Sequence, residues 1–106
     1  MSTIQFDWDE ANLNHSVLHQ VSPTDAEEVI RNRPCDLESQ LRNGEERMVQ
    51  IGETDKGEIV CVVTTTVGSK VRVITAWPAK ERLRRYFLSQ KRNGNVGRAK
   101  KQDLRE

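Results

Sequence analysis

Residues 3–8 (Thr3-Ile4-Gln5-Phe6-Asp7-Trp8) alternate polar and apolar, a period of two that predicts a short strand with Ile4, Phe6 and Trp8 on one face. Asp9 then stands where a helix cap belongs. Leu13 and Val17, four apart, predict a helix over roughly 9–19. Ser22-Pro23-Thr24-Asp25 restarts the helical pattern, because Ser22 can accept from the Asp25 amide and proline fits the first helical position. The second helix runs to about Asn32 with Ala26, Val29 and Ile30 inward, and Pro34 ends it. Residues 35–45 are polar and read as a loop. From Glu46 the period returns to two: Arg47, Val49 and Ile51 alternate with Met48 and Gln50. Thr54-Asp55-Lys56-Gly57 reads as a hairpin turn. The apolar run from Ile59 to Val63 predicts a central strand covered on both faces. After Gly68-Ser69, Val71, Val73 and Thr75 alternate with Arg72, Ile74 and Ala76. Pro78 opens a last helix over roughly 78–91, with Ala79, Leu83, Tyr86, Phe87 and Gln90 on one side.

The predicted order is β-α-α-β-β-β-α, an α+β fold. A three-stranded antiparallel meander over 46–77 and a short N-terminal strand are packed with two N-terminal helices and one C-terminal helix. A chain of 106 residues has room for one small core, placed at 1–92. Residues 93–106 are basic and nearly devoid of apolar side chains, so they are expected to form a disordered tail.

Composition narrows the function classes. No apolar run nears the roughly 18 residues of a membrane span, so no membrane partner is expected. The N-terminus lacks a basic stretch followed by an apolar one, so a secretory signal is not expected either. Cys35 and Cys61 are the only cysteines, too few for a disulfide scaffold. Cys61 reads as a buried thiol in a reducing cytoplasm. No Cys-x-x-Cys and no Cys/His cluster with zinc spacing occurs, and no cofactor is expected. The net charge of +1 hides an asymmetry: residues 1–77 sum to −6 and residues 78–106 to +7. Such a basic end suggests contact with a polyanion.

Several residues are candidates for chemistry. His15 and His19 are four apart on one helix face, a spacing open to acid–base work, to a metal, or to a structural role. Glu46 and Arg47 enter the meander on opposite faces. Arg72 falls among apolar neighbours and is expected to share a face with Ile74 and Ala76, where an arginine either snorkels or meets an anion. Arg82, Arg85 and Tyr86 lie on the basic helix. Trp77 is either a core-edge side chain or a platform for a base.

In order, Phe6-Asp7-Trp8-Asp9-Glu10, His19-Gln20-Val21-Ser22, Ala26-Glu27-Glu28-Val29, Gly44-Glu45-Glu46-Arg47, Ile51-Gly52-Glu53-Thr54 with Gly57, Arg72-Val73-Ile74-Thr75-Ala76 and the Arg-rich helix with Tyr86 resemble the BrnT family of toxins. The resemblance covers about residues 4–90. It implies a fold similar to the RelE/ParE superfamily and a metal-independent ribonuclease acting as the toxin of a type II toxin–antitoxin pair. It further implies a partner similar to the ribbon-helix-helix antitoxin BrnA, with operator DNA bound only through that antitoxin. His19, Glu46, Arg47, Arg72, Arg82, Arg84, Arg85 and Tyr86 match family positions. Leu18, Trp77 and Leu83 stand where the family pattern has lysine, arginine and glutamate. In this reading His19, Glu46, Arg72 and Arg82 are catalytic. His15, Arg47, Trp77, Arg85 and Tyr86 contact RNA. Two other readings remain open: a catalytically silent member that still binds antitoxin or RNA, and a small nucleic-acid-binding regulator using only the basic helix and tail.

Overall fold

The computed structural model describes residues 4–8, 20–94 and 96–97. The helix expected over 9–19, with Leu18 and both histidines, lies outside the described residues, as does most of the tail. Six elements follow in order: α1 (Pro23–Arg31), β1 (Cys35–Arg42), β2 (Glu45–Glu53), β3 (Ile59–Val67), β4 (Lys70–Pro78) and α2 (Glu81–Arg92). The strands form one antiparallel sheet in sequential order β1-β2-β3-β4. The α+β class and the antiparallel meander are as the hydrophobic pattern predicts.

The segment read as a loop over 35–45 is instead strand β1 and a tight turn. Asn43 and Gly44 have φ of 52° and 80°, the left-handed pair that a two-residue hairpin demands, and Asn-Gly is its preferred sequence. The N-terminal strand reduces, within the described residues, to one parallel bridge between Phe6 and Val71. The Asp7 amide donates to the Val71 carbonyl at 2.8 Å and the Val71 amide to the Gln5 carbonyl at 2.9 Å. Pro78 closes β4 rather than opening a helix. The Ala79 amide still donates to the Ile59 carbonyl at 3.0 Å, which holds the chain extended until α2 begins at Glu81.

Each face of the sheet has its own core. On one face α1 lays Ala26, Val29 and Ile30 against Val60, Val62, Val73 and Ala76, with Phe6, Trp8 and Val71 packed at the margin. Ser22 caps α1 by accepting from the Asp25 amide at 3.0 Å, and Pro23 occupies the first turn. On the other face α2 places Phe87, fully buried, over Cys35, Ile51, Ile59 and Cys61, with Leu37, Trp77, Ala79, Leu83 and Val96 alongside. Packing continues past α2: the Gly97 amide donates to the Arg33 carbonyl at 2.7 Å, and Arg33 Nε donates to the Gly97 carbonyl at 2.9 Å.

A bulge changes which residues share a face. Val63 pairs with Thr75 but Thr64 pairs with Val73, so Ile74 is the extra residue of β4. Ala76 therefore joins Val73 in the core beneath α1, while Arg72 falls on the α2 side. The expected common face for Arg72 and Ala76 does not exist, because alternation is broken between them.

Candidate functional site

Helix α2 covers only one end of its face of the sheet, over Cys35, Ile51, Cys61 and Ile59. Lys91 pairs there with the buried Glu53 at 2.8 Å, at the end of β2. On the same flank Arg84 borders, with Gly57 and Glu58, a concavity of about 490 Å³ beyond the sheet end. With Leu83 and Phe87 inward, helical geometry puts Arg82 and Tyr86 on the opposite flank, toward the half of this face that no described helix covers.

The cross-strand registers arrange that half in rows. Glu38, Val49, Val63 and Thr75 form the row next to α2. Gln40 pairs with Arg47 and Thr65 with Arg72, and alternation continues the β2–β3 register to bring Arg47 beside Thr65. Gln40, Arg47, Thr65 and Arg72 thus make the second row, about 7 Å farther along the strands. Arg47 and Arg72 are separated by β3 alone, roughly 10 Å across the sheet. Between them and the helix the same face carries Val49, half-buried, and Val63, buried.

Both arginines are held by carboxylates on the same face. Arg72 donates to Asp7 Oδ2 through Nε at 3.0 Å and through an Nη at 2.6 Å. Arg47 meets Glu45 Oε1 at 2.9 Å. Each pair keeps a substantial exposed fraction, 34% for the Arg72 side chain and 28% for Arg47. An incoming anion can therefore reach both guanidiniums without dismantling a core. Asp7 and Glu45 were not singled out from the sequence. The signal was there, since residues two apart on a strand share a face, and Glu45 and Arg47 are two apart.

Tyr86 faces Cys35, whose thiol donates to the phenol oxygen at 3.9 Å. Hydrogen bonding with Cys35, in which the protonated phenol can donate to the sulfur, raises the phenol's pKa above its ordinary value, and the charge of a thiolate there and some desolvation add to the rise. Tyr86 therefore keeps its proton through neutral pH and is a hydrogen donor. Arg82 is exposed at the rim. Glu81 binds Arg85 at 2.9 Å and Arg84 at 3.2 Å. Its carboxyl is held below the usual range first by the Arg85 hydrogen bond and charge, then by Arg84.

Of the nine sequence-predicted site residues, five gather on the α2 side: Arg47, Arg72, Trp77, Arg82 and Tyr86. Trp77 is partly buried against the α2 core, and its ring belongs to the floor beneath the helix. Arg85 points outward from α2, away from the sheet, with 78% of its side chain exposed. Glu46 sits on the other face, accepting from Ser39 Oγ at 3.3 Å, and lines with Met48, Thr64 and Thr66 a polar concavity of about 580 Å³. His15 and His19 lie outside the described residues.

A family model described as the ribonuclease toxin BrnT of type II toxin–antitoxin systems matches residues 8–82. The chain belongs to the BrnT family. The match spans α1, all four strands and the first two residues of α2, so it includes Arg47, Arg72 and Arg82. No curated protein and no solved structure matches the chain. As a member of a ribonuclease toxin family it has RNA as its substrate class and an antitoxin as its partner class. Among the described residues no helix is long and apolar enough to cross a membrane.

Proposed function

We propose that this BrnT-family chain, with a RelE/ParE-like fold, cleaves RNA without a metal, in the groove between the uncovered sheet and the flank of α2. The observation that carries this reading is the shared face of Arg47, Arg72, Arg82 and Tyr86. Three guanidiniums and a protonated phenol border one aliphatic floor. Metal-independent cleavage starts when the ribose 2′-oxygen attacks the adjacent phosphorus and the P–O5′ bond breaks. It leaves a 2′,3′-cyclic phosphate and a 5′-hydroxyl. A base must take the 2′-proton, an acid must protonate O5′, and cations must neutralise the extra charge of the phosphorane.

Arg72 and Arg47 supply fixed charge from the sheet, and Arg82 supplies it from the helix rim. Arginine suits this role because its planar fork can bind two phosphate oxygens at once. Tyr86 donates the proton to O5′. His19, at a family position, takes the 2′-proton. Glu46 sits on the other face from this groove, and its place in the reaction passes to the carboxylates beside the arginines, Asp7 and Glu45. They hold the guanidiniums in place until phosphate replaces them.

The antitoxin in this reading is a small BrnA-like ribbon-helix-helix protein that covers the groove, and operator DNA is reached only through it. The −6/+7 division of charge supports a partner that engages the basic end through acidic side chains. Induced expression tests both parts. Wild-type protein should arrest growth with loss of cellular RNA. Arg47→Ala/Arg72→Ala should be tolerated, and co-expression of the neighbouring reading frame should rescue growth. Unaltered growth arrest by the double variant would remove the groove from the account.

A further inference from the structure

The outer edge of β1 carries a second kind of information. Among the described residues no strand pairs with it, since β1 is terminal in the sheet and the only additional bridge lies at β4. Such an edge is a template for another strand unless it is blunted. Its devices here are polar side chains and one bulge near Leu37, where the β1–β2 register shifts between Asp36 and Glu38. From Glu38 to Arg42 the edge is regular, unbroken by proline, and bears Leu41, at 74% exposure the most exposed large hydrophobic side chain among the described residues.

The hairpin fixes which backbone groups point outward. Arg42 and Glu45 flank the two-residue turn at Asn43-Gly44, so they form a hydrogen-bonded pair. By alternation the amides and carbonyls of Arg42, Gln40 and Glu38 then turn toward β2. Those of Ser39 and Leu41 turn outward. A second β1 running antiparallel, with a two-fold axis at Gln40, sets Ser39 opposite Leu41 of the other copy on both sides of the axis. Those are the residues with free outward groups, and together they make four backbone hydrogen bonds.

The same axis sets Glu38 directly opposite Arg42 of the second copy, twice. Neither has an ion-pair partner among the described residues: Glu38 accepts only from Gln40 Nε2 at 2.7 Å. Opposite charges facing across strands favour pairing, and like charges oppose it. Shifting the axis by one residue to Ser39 sets Leu37, in the bulge, against Leu41 and loses both charge pairs. The edge is therefore self-complementary in one register.

We propose that a second copy of this chain pairs antiparallel along β1, about a two-fold axis at Gln40, joining the two sheets into one of eight strands. The axis runs normal to the sheet, so both α2-side faces lie on the same side. The row Arg72, Thr65, Arg47, Gln40 then continues into Gln40, Arg47, Thr65 and Arg72 of the other copy. The two Arg47 positions are about 14 Å apart across three strand spacings. Two grooves share one basic floor, long enough for a single RNA strand to touch both. The pairing itself does not depend on the ribonuclease reading.

Sedimentation of the purified protein tests it. The interface is small, so dimerisation in the micromolar range that depends on concentration is expected, as for contacts burying under about 1,200 Å². Arg42→Glu places two glutamates opposite each other twice and should weaken association at least about tenfold. Glu38→Arg should do the same. The double exchange Glu38→Arg/Arg42→Glu restores both pairs and should restore the dimer. Circular dichroism checks that all three variants fold. A wild type that stays monomeric throughout that range overturns the proposal. So does a dimer indifferent to both single reversals. A monomer that instead binds its antitoxin in an Arg42→Glu-sensitive way also overturns it, and assigns the edge to an antitoxin strand.

Discussion

Gly52→Ala probes how closely α1 is seated on the sheet. Gly52 is buried in β2 and paired with Val60, on the face α1 covers. A methyl built there lies 2.9 Å from Val29 Cγ1, 3.2 Å from Pro34 Cβ and 3.2 Å from the Val29 carbonyl oxygen. Comfortable carbon contacts are about 3.5–4.0 Å. Val29 cannot turn away easily, because valine in a helix has one strongly preferred rotamer and this one is fully buried. The carbonyl belongs to the helix backbone. Relief therefore requires α1 to move off the sheet. Overpacking of this kind costs about 1–3 kcal/mol, partly offset by the 0.5–1 kcal/mol or so that alanine gains over glycine in a strand. A net loss of about 1–2 kcal/mol follows, or a Tm lowered by roughly 5–15 °C for a domain of this size. Thermal unfolding followed by circular dichroism measures it. In a double-mutant cycle, Val29→Ala removes the closest of the three contacts, so the two substitutions should cost less together than their sum. An unchanged or raised Tm for Gly52→Ala, or strict additivity, would refute this packing.

Phe87→Ala, at the centre of the α2 core, should cost about 3–5 kcal/mol and detach the helix from the sheet, read as a large drop in the denaturant midpoint. Burial pushes the Cys61 thiol from 9.0 up to about 11. Since the unfolded thiol ionises first, the stability this burial permits is complete below about pH 9 and declines as pH rises toward 11. The decline totals roughly 2–3 kcal/mol. Cys61→Ser, which does not titrate there, should flatten the part of the pH–stability curve lying above pH 9. Glu27→Gln weakens the 2.6 Å hydrogen bond from Trp8 Nε1 and the Arg31 ion pair, and should lower stability by about 1 kcal/mol in chemical denaturation.

The helix α1 and strands β2 to β4 were legible because each buries one face or both, and burial writes a period into the sequence. Ala26, Val29 and Ile30 at helical spacing, and Ile59 to Val63 as an unbroken run, have no other economical reading. Strand β1 was not legible for the opposite reason. It lies at the sheet edge with Asp36, Glu38, Ser39 and Arg42 in solvent, and its one inward aliphatic, Leu37, falls in a bulge that breaks the alternation. The Asn43-Gly44 turn was the available clue. The mistaken start of α2 has a local cause, since a proline suits a helix's first turn and a strand's last residue equally. The face of Arg72 was hidden by the extra residue Ile74, because a bulge leaves no mark on the sequence while inverting everything beyond it. The arginines of the proposed groove were named from the sequence together with Glu46, and the register separates Glu46 from them. Grouping depends on register, which only the paired strands reveal.

The central claim is that the α2-side groove cleaves RNA by fixed guanidinium charge. Its most direct test is single-turnover cleavage of a long RNA by purified protein in excess EDTA, comparing wild type with Arg47→Ala/Arg72→Ala. Wild type should leave 2′,3′-cyclic phosphate ends, and the double variant should lose about 10²-fold or more in rate with the fold retained by circular dichroism. Cleavage abolished by EDTA, or a double variant as fast as wild type, would contradict it.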